Sequence, residues 1–207
     1  MNIVLWSDSH SRHELCRIPD GDVLIFAGDI GARGTLEELE SFDAFLGRLP
    51  HRRKIVIAGN RDYFFEDQPA ESLRRLTHAA YLQDEETVVD GIRIFGSPWQ
   101  PPFMKTAFNL PRGGPLREKW SRIPTGIDVL ITHTPPMGIG DRTASGLHVG
   151  CEDLLAAVLR IRPRVHVFGH VHEGYGMTRK DGMLFVNASV VDERMEISHP
   201  PVVVSVP

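Results

Sequence analysis

Cysteine is nearly missing from this chain: Cys16 and Cys151 are the only two in 207 residues. Two thiols do not build a disulfide framework, which excludes the small cross-linked secreted scaffolds and makes the cytoplasm the expected compartment. Long apolar runs are missing too. None approaches the roughly 20 residues of a membrane span, and the first run, Ile3 to Trp6, meets Asp8 at once with no basic segment before it. Neither a signal peptide nor a membrane partner is expected. Positive charge is not in excess: 23 Lys and Arg against 27 Asp and Glu leave a formal charge of −4. That balance argues against a nucleic acid polymer as partner. No repeat, low-complexity tract or linker interrupts the chain, so one domain over residues 1–207 is expected.

What is present is a set of five short apolar runs, each ending at a residue able to bind a metal. Ile3-Val4-Leu5-Trp6 leads to Asp8 and His10, and Val23 to Ala27 leads to Gly28-Asp29. Ile55 to Ala58 leads to Gly59-Asn60, Val129 to Thr132 leads to His133, and Val165 to Phe168 leads to His170 and His172. Runs of this length, rich in Val and Ile, read as buried strands. Strands lying side by side would bring these ends to one edge of a sheet.

Between the runs the periodicity becomes helical. Thr35 and Glu38 form a capping box before Leu36, Leu39, Phe42, Phe45, Leu46 and Leu49, and Pro50 ends that helix. Further helices are expected from Glu71 to about Ala79 and from Glu152 to Ile161. Asp90-Gly91 and Asp181-Gly182 sit between β-prone arms and predict two hairpins, and a last strand is expected from Val202 to Val206. The resulting fold class is α/β: a four-layer sandwich of two mixed β-sheets flanked by helices, with a dimetal site at the C-terminal ends of the strands.

Carboxylate and amide oxygens suit hard divalent cations, and imidazole suits Mn, Fe, Zn and related ions. Asp8 and His10, like His170 and His172, are two residues apart and point to one side of an extended segment. Asp29 can bridge two ions, Asn60 offers an amide oxygen, and His133 another imidazole. Taken singly, Asp8 and Asp29 read as turn residues, Asn60 as an Asx turn and His133 as a loop histidine. Together, seven donors suit two metal ions, which can clamp an in-line displacement at phosphorus. The irregular stretch from Gly96 to Gly114 is too long for a simple connection. In it Asn109 and Arg112 could bind phosphate or ribose oxygens, and Trp99 or Phe103 could stack on a base. His148 and Arg142, on a Gly-rich stretch, could reach the same cavity.

Asp8-x-His10, Gly28-Asp29, Gly59-Asn60-x-Asp62, Thr132-His133 and Gly169-His170-x-His172 resemble, in order, the five signature blocks of the calcineurin-like metallophosphoesterase superfamily. The resemblance extends to its branch of metallophosphoesterase-domain-containing proteins through residues 18–25, 96–101, 107–113 and 167–176. It implies one metal held by Asp8, His10, Asp29 and His172, and a second by Asp29, Asn60, His133 and His170. It also implies two divalent ions, Mn²⁺ first with Fe, Zn, Co or Ni as alternatives, and hydrolysis of a small phosphoester or nucleotide by a metal-bridging hydroxide. Asn60, Arg61 and Asp62 would be the catalytic trio.

Arg61 departs from the family, which has His there as proton donor. Arginine stays charged and cannot donate a proton near neutral pH, but it can bind phosphoryl oxygens. A salt bridge from Arg61 to Asp62 is the bland reading of the pair. Thr134, where many relatives have Gly, could narrow the pocket. The expected activity is a phosphodiesterase on small diesters, cyclic nucleotides among them, biased to good leaving groups. The rival readings are a nucleotide- or metal-binding regulatory protein and a phosphomonoesterase.

Overall fold

Alternation along the short strands gives each of them two apolar faces, and two faces need two different covers. In the computed structural model, which describes residues 1–206, the strands are β1 (Asn2–Trp6), β2 (Val23–Phe26), β3 (Arg53–Val56), β4 (Ala80–Tyr81), β5 (Glu85–Val89), β6 (Ile92–Ser97), β7 (Val129–Thr132), β8 (Val165–Phe168), β9 (Gly176–Lys180), β10 (Met183–Asn187) and β11 (Val202–Ser205). The helices are α1 (Leu36–Gly47), α2 (Tyr63–Asp67), α3 (Pro69–Arg75), α4 (Gly114–Ser121) and α5 (Glu152–Ile161).

One sheet has the order β11-β1-β2-β3-β4 and the other β5-β6-β7-β8-β10-β9. Each is mixed: β1, β2, β3 and β4 run parallel, with β11 antiparallel to β1. In the second sheet β6, β7, β8 and β10 run parallel, with antiparallel β5 and β9 at the edges. Ile3, Leu5, Ile25 and Ile55 meet Ile94, Ile131, Val167 and Val186 in the layer between the sheets. The opposite faces, Val4, Trp6, Leu24 and Phe26, pack on Leu39, Phe42 and Leu46 of α1. Leu130, Phe168 and Phe185 pack likewise on Leu154 and Val158 of α5 and Trp120 of α4. The expected four layers are present.

Several local expectations meet their chemistry. Thr35 Oγ1 accepts from Glu38 N while the Glu38 carboxylate accepts from Thr35 N, completing the capping box of α1. Asp90-Gly91 and Asp181-Gly182 take the positive φ that tight hairpins require. Three expectations need correction. The five metal-bearing runs do not share one sheet edge: β1, β2 and β3 lie in one sheet, β7 and β8 in the other. Their C-terminal ends meet because the sheets converge there, where Val190 N donates to Ser7 O at 3.0 Å. The helix expected from Glu71 begins earlier, at Pro69, and ends at Arg75. The Asp43 carboxylate captures the N–H groups of Thr77 and His78, both at 2.8 Å, and turns the chain toward β4. Finally, the irregular stretch ends where α4, unassigned from sequence, starts with Pro115 in its first turn.

One buried imidazole in this frame is purely architectural. His166, on β8, lies fully buried with Nε2 2.9 Å from Thr132 Oγ1, whose own hydroxyl donates to Thr134 O. Burial pushes its pKa down to about 3. The folded state therefore holds it neutral while the unfolded chain protonates near pH 6.5, so stability is full above that pH. It declines as pH falls towards 3, by about 1.4 kcal/mol per unit over that window for this group. Urea midpoints measured between pH 7 and 4 are expected to fall less steeply for His166→Asn than for wild type.

Candidate metal centre

Three of the five strand ends, those of β1, β2 and β8, curl before they present a donor. Asp8, His10, Asp29 and His170 all have positive φ, between 43° and 69°, a conformation that non-glycine residues avoid. Backbone bonds between neighbouring strand ends hold it: Asp8 N to Gly28 O at 2.9 Å and His10 N to Asp29 O at 3.1 Å. Two glycines permit the crowding. A Cβ at Gly59 would stand 2.3 Å from Asp29 Oδ1, and one at Gly169 would stand 2.0 Å from Asp8 Oδ2.

All seven predicted donors come together. His10 Nε2 lies 3.3 Å from His172 Nε2 and 3.9 Å from Asp8 Oδ1, and His172 Nε2 is 3.5 Å from the same oxygen. On the other side His133 Nε2 lies 3.0 Å and His170 Nδ1 2.8 Å from Asn60 Oδ1. Asp29 stands between, with Oδ2 3.7 Å from His10 and Oδ1 3.5 Å from His133. Two groups, Asp8-His10-His172 and Asp8-Asp29-His133, have ligand atoms all within 4.8 Å of one another.

The tautomers test whether a cation fits. His133 Nδ1 is 2.9 Å from Ala27 O, which only accepts, so the proton is on Nδ1 and the Nε2 lone pair faces Asn60 Oδ1. His172 Nδ1 similarly meets Asp192 O at 3.1 Å, which puts a proton on Nδ1 and turns Nε2 inward toward His10 and Asp8. Lone pairs aimed head to head in a buried space are what a metal ion resolves, with the carbonyls as orienting partners. The titration behaviour is divided: burial would lower His172, but the Asp8 carboxylate beside it raises it, so without a cation there His172 holds a proton toward Asp8. Burial pushes His10 down to about 4 and His170 down to about 3, so both rings offer lone pairs. Burial alone would raise Asp8, but the His172 hydrogen bond and surrounding imidazoles hold it well below the carboxylate range. Burial and the Asp8 charge push Asp29 well above that range. Two buried carboxylates side by side cannot both be ionised unless positive charge stands between them.

Arg61 N donates to Asp29 Oδ1 at 2.8 Å, and its half-buried side chain acts electrostatically on Asp29. The bland reading of an Arg61–Asp62 salt bridge is not what forms. The Asp62 carboxylate is buried and accepts backbone N–H groups from Gly59 (2.8 Å), Ile30 (2.9 Å), Asp29 (3.0 Å) and Gly31 (3.1 Å). Burial and the Asp29 charge push it up to about 8 against the pull of those amides. It ties the β2 end to the β3 end.

Beside His170 opens a cavity of about 460 Å³. Of the residues expected to bind substrate, Arg112 and His148 line it and Asn109 and Trp99 do not. Asn109 is spent inside its own loop: Oδ1 accepts from Gln100 Nε2 (3.0 Å) and Phe103 N (3.2 Å). Trp99 donates to Asp84 Oδ2 at 2.8 Å, with Lys119 Nζ 4.0 Å over its ring. Phe103 takes the wall position instead, edge-on to His170 at 5.1 Å between centroids. Arg112 faces the cavity but is anchored to Gly150 O (2.9 Å) and Val149 O (3.2 Å). Thr134 lines the wall as well. Glu173, unnoticed in the sequence although it follows His172, lines the wall with a carboxylate that accepts from Ala144 N at 3.0 Å.

A two-sheet sandwich whose strand ends gather Asp, Asn and His donors in this order defines a metallophosphoesterase, and the chain belongs to the calcineurin-like phosphoesterase family, whose profile matches residues 3–174. Among its relatives is Metallophosphoesterase domain-containing protein 1 of Homo sapiens, 44% identical over 226 residues, which cover 97% of this chain and 69% of that protein. A UPF0046 protein of Caenorhabditis elegans is 38% identical across 95% of this chain and 57% of its own length. Solved structures agree in fold. One superposes with a TM-score of 0.70 at 18% identity, covering 90% of this chain and 89% of its own. TT1561 of Thermus thermophilus gives 0.61 at 14%, covering 90% and 88%. No helix among the described residues is long and apolar enough to cross a membrane.

The anchoring of Asp62 generates a test independent of metal. Asp62→Ala leaves four buried N–H groups without an acceptor and is expected to lower stability by at least about 3 kcal/mol, read as a urea midpoint shift in metal-free buffer.

Proposed function

We propose that the protein is a dimetal-dependent phosphodiesterase acting on small phosphodiesters, cyclic nucleotides among them. The observation that carries this reading is the position of Asp29, one carboxylate oxygen toward His10 and the other toward His133. Asp8, His10, Asp29 and His172 would hold one cation, and Asp29, Asn60, His133 and His170 the other, with Mn²⁺ the first choice for this mixed oxygen and imidazole set. When bound, such a pair supplies a water acidic enough to attack at neutral pH and positive charge for the phosphoryl oxygens.

The chain's own groups do the rest. Ala27 O and Asp192 O fix the rings of His133 and His172, so the donors are oriented before anything binds. Arg61, poised beside Asp29 and permanently charged, binds phosphoryl oxygens and stabilises charge developing on them. The cavity beside His170 seats the second ester substituent: Phe103, Pro101 and Pro102 offer an apolar wall, and Thr134 offers a hydroxyl. The Glu173 carboxylate on the same wall repels a further phosphate, which favours a diester over nucleoside polyphosphates. Cys16 and Cys151 are free thiols, in keeping with a cytoplasmic protein.

Purified protein given Mn²⁺ is expected to bind two ions per chain and to hydrolyse bis-p-nitrophenyl phosphate. Asp29→Ala should reduce bound metal to one ion or fewer, measured by elemental analysis after gel filtration. Arg61→Ala should keep both ions and lower kcat by about 10²-fold, the scale of losing one oxyanion-type donor. Two bound metals with no metal-dependent turnover, together with tight mononucleotide binding, would point instead to a regulatory binder.

A further inference from the structure

The charge on Arg61 is permanent, so an ester with a poor leaving group needs its proton from another side chain. Of the histidines outside the candidate ligand set, His148 is the one among the described residues that lines the cavity beside His170. Its Nδ1 lies 2.7 Å from Asp141 Oδ1. That carboxylate is completely buried and is itself pinned, accepting from Gly138 N at 2.9 Å and Gly150 N at 3.0 Å. It can neither swing away nor take another partner easily. The His148 ring is thereby fixed in plane and tautomer, with a proton on Nδ1 directed at the carboxylate and Nε2 left for a ligand. The side chain is 52% exposed, so a molecule in the cavity can reach it.

We propose that His148, oriented by Asp141, is the general acid that protonates the leaving oxygen of the ester. The proposal rests on the phosphodiesterase reading above. In the step, a water oxygen forms the new bond to phosphorus and its proton passes to solvent. The bond from phosphorus to the leaving oxygen breaks with its electron pair on that oxygen. The oxygen takes the proton from Nε2 of the imidazolium and departs as a neutral alcohol, and the ring regains a proton from solvent. The Asp141 carboxylate balances the imidazolium charge before transfer and keeps Nε2 aimed into the cavity afterwards. A cavity of about 460 Å³ is small enough for one ester group to span the wall from His170 to His148.

The test compares methyl aryl phosphates, from the p-nitrophenyl to the unsubstituted phenyl ester, with Mn²⁺-loaded wild type, His148→Gln and Asp141→Asn. Wild type should depend weakly on leaving-group acidity, in place of the bias to good leaving groups expected from Arg61 alone. His148→Gln should lose about 10²-fold or more on the phenyl ester and under about 5-fold on the p-nitrophenyl ester. Asp141→Asn, which keeps a hydrogen-bond acceptor and removes the charge, should show the same trend at about 10-fold. Binding of phenylphosphonate by calorimetry and the thermal midpoint should change little in His148→Gln. A uniform loss across the series, or phenylphosphonate affinity lost in parallel, overturns the proton-donor role while leaving the phosphodiesterase reading intact. Wild type that binds phenylphosphonate and turns over none of the esters overturns both.

Discussion

Two carboxylates, Asp8 and Asp29, are buried side by side at the meeting point of two sheets, and the rest of the site is an answer to that fact. Anionic oxygens withdrawn from water repel one another and are costly unless hydrogen-bonded or bridged by positive charge. Part of the compensation is local: Ser7 and the His170 N–H donate to Asp8, and the Arg61 N–H donates to Asp29. For both carboxylates to be charged at once cations are needed; burial holds His10 and His170 neutral as lone-pair donors, while His172, which burial alone would lower, is raised by the Asp8 carboxylate. A metallophosphoesterase centre is thus the electrostatic completion of a fold that is otherwise short of positive charge at its heart.

The scaffold tolerates this because strain and support are spread over several strand ends. Four donor residues sit in left-handed backbone, which costs of order 1–3 kcal/mol each, and the cross-strand bonds and the Asp62 clamp over-determine those conformations. Its place beside Arg61 in the sequence suggests a part in the chemistry for Asp62. Its four backbone bonds make it a strut between the β2 and β3 ends, and it forms no salt bridge with the neighbouring Arg61 guanidinium.

Periodicity and short-range chemistry made most of the fold legible. Thr35 and Glu38 mark a helix start through bonds three residues apart, and Asp90-Gly91 marks a hairpin through its own φ values. The candidate metal donors were legible for a related reason: each lies within four residues of the end of its strand, so locating the strand locates the donor. Where a partner outside the local pattern claimed a polar group, local reading failed. Asp43, 34 residues before Thr77, ends α3 early, and nothing within that segment announces it. Asn109 and Trp99 look suited to bind substrate until Gln100, Phe103 and Asp84 claim their polar atoms.

The amino-acid sequence alone determined the α/β class, the helices and hairpins with local signals, and the seven oxygen and nitrogen donors at strand ends, because these depend on neighbours a few residues away. Tertiary structure alone decided that the donors come from two converging sheets rather than one edge, that Asp62 braces two strand ends without a salt bridge to Arg61, and that His148 is coupled to Asp141 on the cavity wall. Those outcomes turn on which hydrogen-bond partners reach each polar atom across the fold, and a one-dimensional pattern does not carry that competition.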